Sequence, residues 1–173
     1  YEFANSILLS RKGKLKKSLI LLNKLITQYP MHNFLIETKA DLLLSHGFTN
    51  EAKQFYEKVL ENESNNIYVK KQLFNIEYEN FEKNIIQNNQ KIFNFYSDLM
   101  WNFQNDILLQ KKFKNLAFYI KKNDWVNFAE ANIYIINSRN IEAMQKYNDI
   151  ISSSNDKKLK NYARKKLNAI TNE

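Results

Sequence analysis

The sequence predicts an all-α fold, an α-solenoid of about ten antiparallel helices that is irregular in its middle. Three observations predict it. The 173 residues hold one proline and two glycines, too few turn formers for a hairpin-built protein, and no run alternates apolar with polar residues between turn signals. The two glycines, Gly13 and Gly47, stand 34 residues apart, each closing one amphipathic pattern just before the next begins. Apolar residues elsewhere recur at spacings of three and four, the signature of one helix face turned to a core.

The first pattern sets Phe3, Ile7 and Leu8 on one face and ends at Gly13. The second carries Leu15, Leu19, Leu22, Leu25 and Ile26 and stops at Tyr29-Pro30, because proline disfavours helix in the residue before it. The third covers 33–46 with Leu35, Ile36, Ala40, Leu43 and Leu44 inward, and Gly47 fits the left-handed position that ends many helices. Thr49 is the expected N-cap of the fourth, with Glu51 in its first turn and Ala52, Phe55, Tyr56, Val59 and Leu60 packing. Counted from Gly47, Ala40 and Ala52 fall where paired helices cross most closely and only small side chains fit; Tyr56 takes a large aromatic slot. A helix–turn–helix unit of this period is that of tetratricopeptide (TPR) arrays. The second unit departs from the first in having Ser64 where Pro30 stood.

Residues 1–173 read as a single TPR-like domain, with regular repeats over 1–62, a degenerate repeat over 65–106, overlapping repeats over 107–154 and a capping helix over 155–173. A helix is expected over 67–79, but one period after Gly47 stands Phe81. The stretch 81–105 holds Phe93, Phe95, Tyr96, Leu99, Met100, Trp101 and Phe103, read as one aromatic-rich helix filling a gap between repeats, with Asn88-Asn89-Gln90 as loop or helix start. The repeat logic then returns twice in overlapping registers. Ala117 and Ala129 make one small-residue pair, with Asn123-Asp124 as turn. Ala131 and Ala143 make the next, with 138–140 as turn and Tyr147 in the aromatic slot. A helix over 126–137 would thus serve two pairs, and its apolar residues run nearly all round, as in a buried helix. The last helix follows Ser152-Ser153-Ser154-Asn155-Asp156 and has Leu159, Ala163, Leu167 and Ile170 inward under a lysine-rich outer face, as a solenoid cap requires.

Composition bounds the function. The 26 Asn, 23 Lys and 18 Ile against 3 Arg share A/T-rich codons and read as genomic bias. A formal charge of +8 invites a nucleic-acid or membrane-surface reading, but Arg does most base-edge and bidentate phosphate work and is nearly absent, so lysine is read as filling solvated faces. There is no cysteine for a disulfide or thiolate site, and no stretch nears the ~20 apolar residues of a membrane span. His32 and His46 are too far apart to be helical metal ligands, and Glu37 and Asp41 read as surface acids. No nucleophile elbow, phosphate loop or dinucleotide fingerprint occurs. The expectation is a non-catalytic protein-binding module with no metal and no cofactor.

In TPR arrays the first helix of each pair lines the binding surface. On the fifth helix this places Tyr68, Lys71, Asn75 and Tyr78; on the helix near residue 110 it places Lys111, Lys114, Asn115, Phe118 and Lys121. Lys71 with Asn75 resembles half of the clamp by which some TPR domains hold a peptide C-terminus. A basic and aromatic groove suits an extended peptide of acidic or aromatic character.

Lys12-Gly13-Lys14, the run from Leu22 to the Tyr29-Pro30 stop, and Phe34-Leu35-Ile36-Glu37-Thr38-Lys39-Ala40 resemble the TPR tail of BepA-like bacterial zinc metallopeptidases. That tail has Pro-Tyr-Phe-x-Glu-x-Lys-Gly after a proline-terminated turn. Here Phe34-Leu35, Glu37 and Lys39 match, while Asn33 replaces the proline and Ala40 the glycine. The similarity covers 1–62 and 124–170 and is poor over 81–106. It implies a parent with an upstream His-Glu-x-x-His protease domain, a periplasmic location, and outer-membrane proteins or their assembly machinery as partners. None of the protease half lies in this chain, so no catalytic residue is carried over. A stand-alone TPR scaffold is the alternative, and a cytoplasmic location stays open with it.

Overall fold

A computed structural model describes residues 1–82 and 89–172. Among the described residues there are eleven helices and no strand: α1 (Glu2–Arg11), α2 (Leu15–Gln28), α3 (Asn33–Ser45), α4 (Thr49–Asn62), α5 (Ile67–Glu82), α6 (Asn89–Tyr96), α7 (Leu99–Asn102), α8 (Ile107–Tyr119), α9 (Asn123–Ile136), α10 (Asn140–Ser153) and α11 (Lys157–Thr171). The chain forms two compact units, Tyr1–Asn80 and Phe81–Glu173. In the first, α1 packs on α2, α2 on α3 and α3 on α4. In the second, α8 packs on α9, α9 on α10 and α10 on α11, with α6 and α7 against α8.

Two kinds of turn set this order. At the α1–α2 turn Gly13 has φ +72°, and at the α3–α4 turn Gly47 has φ +83°. Gly47 N–H donates to Leu44 O (3.0 Å) and Phe48 N–H to Leu43 O (2.9 Å); Gly13 and Lys14 repeat this onto Ser10 and Leu9 (2.8 and 2.9 Å). These are Schellman caps, in which the left-handed residue turns two amides back onto the last carbonyls of the helix. The α8–α9 and α9–α10 turns use the same bonds with other residues. Lys121 (φ +59°) and Ser138 (φ +56°) take the glycine position, and Lys122 and Arg139 donate to Ala117 O and Tyr134 O at 2.8 and 2.9 Å. The second kind of turn joins α2 to α3 and α4 to α5. His32 N–H donates to Tyr29 O, and 34 residues on Asn66 N–H donates to Glu63 O. The period therefore holds at both turns, with or without a proline.

The small residues do what their spacing requires. Ala40, Ala52, Ala117, Ala129, Ala131 and Ala143 are all buried, as are Tyr56 and Tyr147 in the aromatic slots. No residue of α9 from Asp124 to Ile136 is exposed, in keeping with a helix packed on both sides. It follows one Schellman turn and precedes another 17 residues later, half the period, so α9 is second member of one pair and first of the next.

Several boundaries differ from expectation. Thr49 is the first residue inside α4, and the N-cap is Phe48. Asn123 and Asp124 begin α9, because the turn is closed one residue earlier by backbone bonds that need no Asn or Asp. Ser152 and Ser153 finish α10, while Asp156 caps α11 by accepting from the amides of Lys158 and Leu159 (2.8 and 3.1 Å). The aromatic run is two helices, α6 and α7, broken at Ser97-Asp98. Asn88 lies outside the described residues. In α1 the buried residues are Ser6 and Ser10, and Leu8 is exposed.

Candidate functional site

In the first unit the face of α3 between its neighbours carries Phe34, Glu37 and Asp41, one turn apart. Tyr56 of α4 donates to Asp41 Oδ1 at 2.5 Å and Tyr68 of α5 donates to the same oxygen at 3.0 Å. Asn66 donates to Glu37 at 3.1 Å and, at the same distance, to Glu63. The two acids are therefore half-buried and hydrogen-bonded rather than plain surface acids. Burial raises the Glu37 carboxyl above its ordinary pKa. Burial, with Asp41 beside it, pushes the Tyr68 hydroxyl up to about 12. Sequence spacing could not show this cluster, because its tyrosines come from two other helices.

Of the α5 residues, Tyr68 is 43% exposed, but Tyr78 is only 3% exposed and belongs to the core with Phe74, 5.9 Å away ring to ring. Lys71 and Asn75 are half-buried. Near Pro30 an open cleft of about 410 Å³ is lined by Phe3, Leu25, Tyr29, His32, Phe34 and Leu35. His32 thus sits among aromatic rings, and His46 Nδ1 lies 2.8 Å from Leu42 O. No group of three His, Asp or Glu that could hold a metal occurs among the described residues.

In the second unit α8 presents a continuous exposed stripe of Leu108, Lys111, Asn115 and Phe118, at helical spacings of three and four. Leu108 is 62% and Phe118 73% exposed, a large apolar area for solvent to cover. The expected Lys111, Asn115 and Phe118 lie on this stripe; Leu108 joins them, and within Ile107-Leu108-Leu109 the sequence carries no motif that marks which residue stays outside. Lys121 is not on it, since it holds the left-handed turn position after α8. Lys114 instead points to α9, where Glu130 Oε1 is 3.7 Å from its ammonium and Glu130 Oε2 is 2.8 Å from Lys146 of α10. Glu130 so ties three helices together and raises the Lys146 pKa through its hydrogen bond. The residues expected in one groove thus divide between two units.

Of the aromatics of α6 and α7, Phe93 and Tyr96 are buried in the second unit, Trp101 is half-buried and Phe95 is exposed. Trp101 lies 4.8 Å from Phe128 and 5.8 Å from Trp125, and Phe93 lies 5.4 Å from Trp125, ring to ring.

Comparison with known proteins bears on the fold. A solved structure described as the RS-1 ArsTM double mutant of MamA matches with a TM-score of 0.62 at 13% identity, covering 98% of this chain and 93% of that one. The fold is TPR-like. No family model and no curated protein matches the chain. Nothing in these comparisons links it to BepA-like metallopeptidases. No helix among the described residues is long and apolar enough to cross a membrane.

Proposed function

We propose that this chain is a non-catalytic module that binds an extended segment of a partner protein along α8. The observation that supports it most directly is the stripe Leu108, Lys111, Asn115 and Phe118. Its two large apolar residues stay in water at a cost on the order of 1.5–3 kcal/mol each, relative to full burial. Between them stand a cation and an amide, which suit an acidic group and a peptide backbone. Recognition then follows the helix-face mode, with apolar anchors fixing position and Lys111 selecting charge.

The test starts from peptides selected out of a random library on the intact chain. Their affinity is then measured calorimetrically for the wild type and for Lys111→Glu with Phe118→Ala. The expected result is loss of binding with unchanged helical circular dichroism; wild-type affinity in the variant refutes the assignment. The narrower reading, a periplasmic metallopeptidase tail acting on outer-membrane proteins, rests on the motif similarity over 1–62 and 124–170. An upstream His-Glu-x-x-His in the parent reading frame would support it, and a frame without one leaves the stand-alone scaffold.

A further inference from the structure

Charge is unevenly spread along the chain: residues 1–80 carry 11 Lys and Arg against 9 Asp and Glu, and residues 81–173 carry 15 against 9. The excess gathers on α11, where Lys157, Lys158, Lys160, Arg164, Lys165 and Lys166 are joined by no acid within 157–172. A cleft of about 480 Å³ borders this helix, lined by Trp101, Asn161, Tyr162 and three of the lysines, Lys157, Lys158 and Lys165. A second cleft of about 700 Å³ shares Trp101 as a wall, continues along 102–107 and is bordered by Lys166.

The aromatic floor is held in place. Tyr162 donates to Gln104 Oε1 at 2.5 Å, and its ring is 5.3 Å from Trp101 and 5.1 Å from Phe128. Lys158 stands over the Trp101 ring at 4.3 Å, within cation–π range. A merely solvated lysine face needs no fixed aromatic cleft beside it. We propose that the joined clefts are a second docking site, for an extended acidic segment of a partner protein. Its carboxylates meet Lys157, Lys165 and Lys166, and an apolar side chain rests against the cleft wall that the packed Trp101 and Tyr162 rings form together. A protein ligand is favoured over nucleic acid because α11 has a single Arg, and because Lys158 already covers the Trp101 face on which a base would stack. A lipid surface is disfavoured because the apolar residues of α11 face inward, Leu159 and Ala163 fully and Leu167 and Ile170 in part.

The probe is a synthetic peptide of Asp and Glu around a central Phe, with its Asn and Gln counterpart as control. Binding is read by calorimetry on the intact chain and by tryptophan fluorescence, since one of only two tryptophans forms the cleft wall. The acidic peptide should bind saturably, weaken with added salt, and lose about tenfold in affinity or more for Lys157→Glu with Lys165→Glu. The amide peptide should not bind. Lys111→Glu with Phe118→Ala should leave this binding unchanged, which separates the site from the α8 stripe. The proposal is overturned by absent saturable binding, by equal affinity for the charge-reversed variant or the amide peptide, or by a single-stranded oligonucleotide or phosphatidylserine vesicle that outcompetes the acidic peptide.

Discussion

The four Schellman turns make a matched experiment, because two carry glycine and two do not. At Gly47 an added Cβ would meet nothing within 4 Å, so no clash contributes to Gly47→Ala. What remains is the left-handed backbone, φ +83°, which costs an L-residue roughly 1–2 kcal/mol. Reduced freedom of the unfolded chain offsets roughly 0.4–1 kcal/mol of that, leaving a net loss of about 1 kcal/mol. Ser138 already bears the same backbone penalty at φ +56°, so Ser138→Gly should act with opposite sign, stabilising by up to about 1 kcal/mol. For units of this size that is a shift of roughly 4–8 °C in melting temperature, downward for the first and upward for the second. Urea and thermal unfolding followed by circular dichroism would measure both. If both substitutions shift stability in the same direction, the turns are not equivalent and the repeat register drawn from them is wrong.

Other outcomes follow from packing and charge. Ala40 is fully buried where α3 meets α4, so Ala40→Leu should cost about 1–3 kcal/mol by overpacking, and an unchanged denaturation curve would count against the crossing. The buried Ser18 hydroxyl has no hydrogen-bond partner among the described residues, so Ser18→Ala should raise stability by roughly 0.5–1 kcal/mol through better helix propensity and a removed unsatisfied group; a lower urea midpoint would refute this. Gln110 is buried between Phe103 O, to which it donates at 2.9 Å, and Asn132, from which it accepts at 3.2 Å. Phe103 O keeps the Asp106 N–H at 3.1 Å, so Gln110→Leu should cost roughly 1–3 kcal/mol through the buried Asn132 amide, and Asn132→Leu added to it should recover part, as a double-mutant cycle would show. The Glu37 carboxyl is raised above 4.5 by burial, so the native state binds the extra proton and its stability falls as pH rises through and above that value. Glu37→Gln should therefore be more stable than the wild type at neutral pH and equal to it near pH ~3; a gap that persists in acid would contradict the burial argument.

What could be read from the residues alone was local. Gly13 and Gly47 announce their turns because a left-handed residue without a Cβ is a backbone requirement written in one letter. The alanine pairs do so as well, since only a small side chain fits a close crossing. The turns at Lys121 and Ser138 have the same hydrogen bonds but no such letter, which is why the sequence points to Asn123-Asp124, already inside α9, as the α8–α9 turn. Thr49 failed as a cap because the chain entered α4 one residue sooner, and N-cap preference is weaker than the register imposed by Ala52 and Tyr56. The aromatic run broke into α6 and α7 because periodicity marks which residues go inward, not where a helix bends. In the candidate site, the exposure of Phe118 and Lys111 followed from helix phase, whereas the tyrosines on Asp41, the pairing of Lys114 with Glu130 and the burial of Tyr78 depend on other helices.

The close spacing of these turns also governs how the chain finds its fold. Helices joined by a Schellman turn meet their partners after only a few residues of loop, so loop closure is cheap and contact order low, the regime of rapid folding. In the second unit α9 gains most from each encounter, since it has a neighbour waiting on either side, and assembly can spread outward from it as in other repeat proteins. Amides of α9 should then exchange with solvent only on opening of the whole unit, while those of the peripheral α11 exchange through cheaper local opening. The side of the Trp101 cleft that α11 supplies would open with that helix.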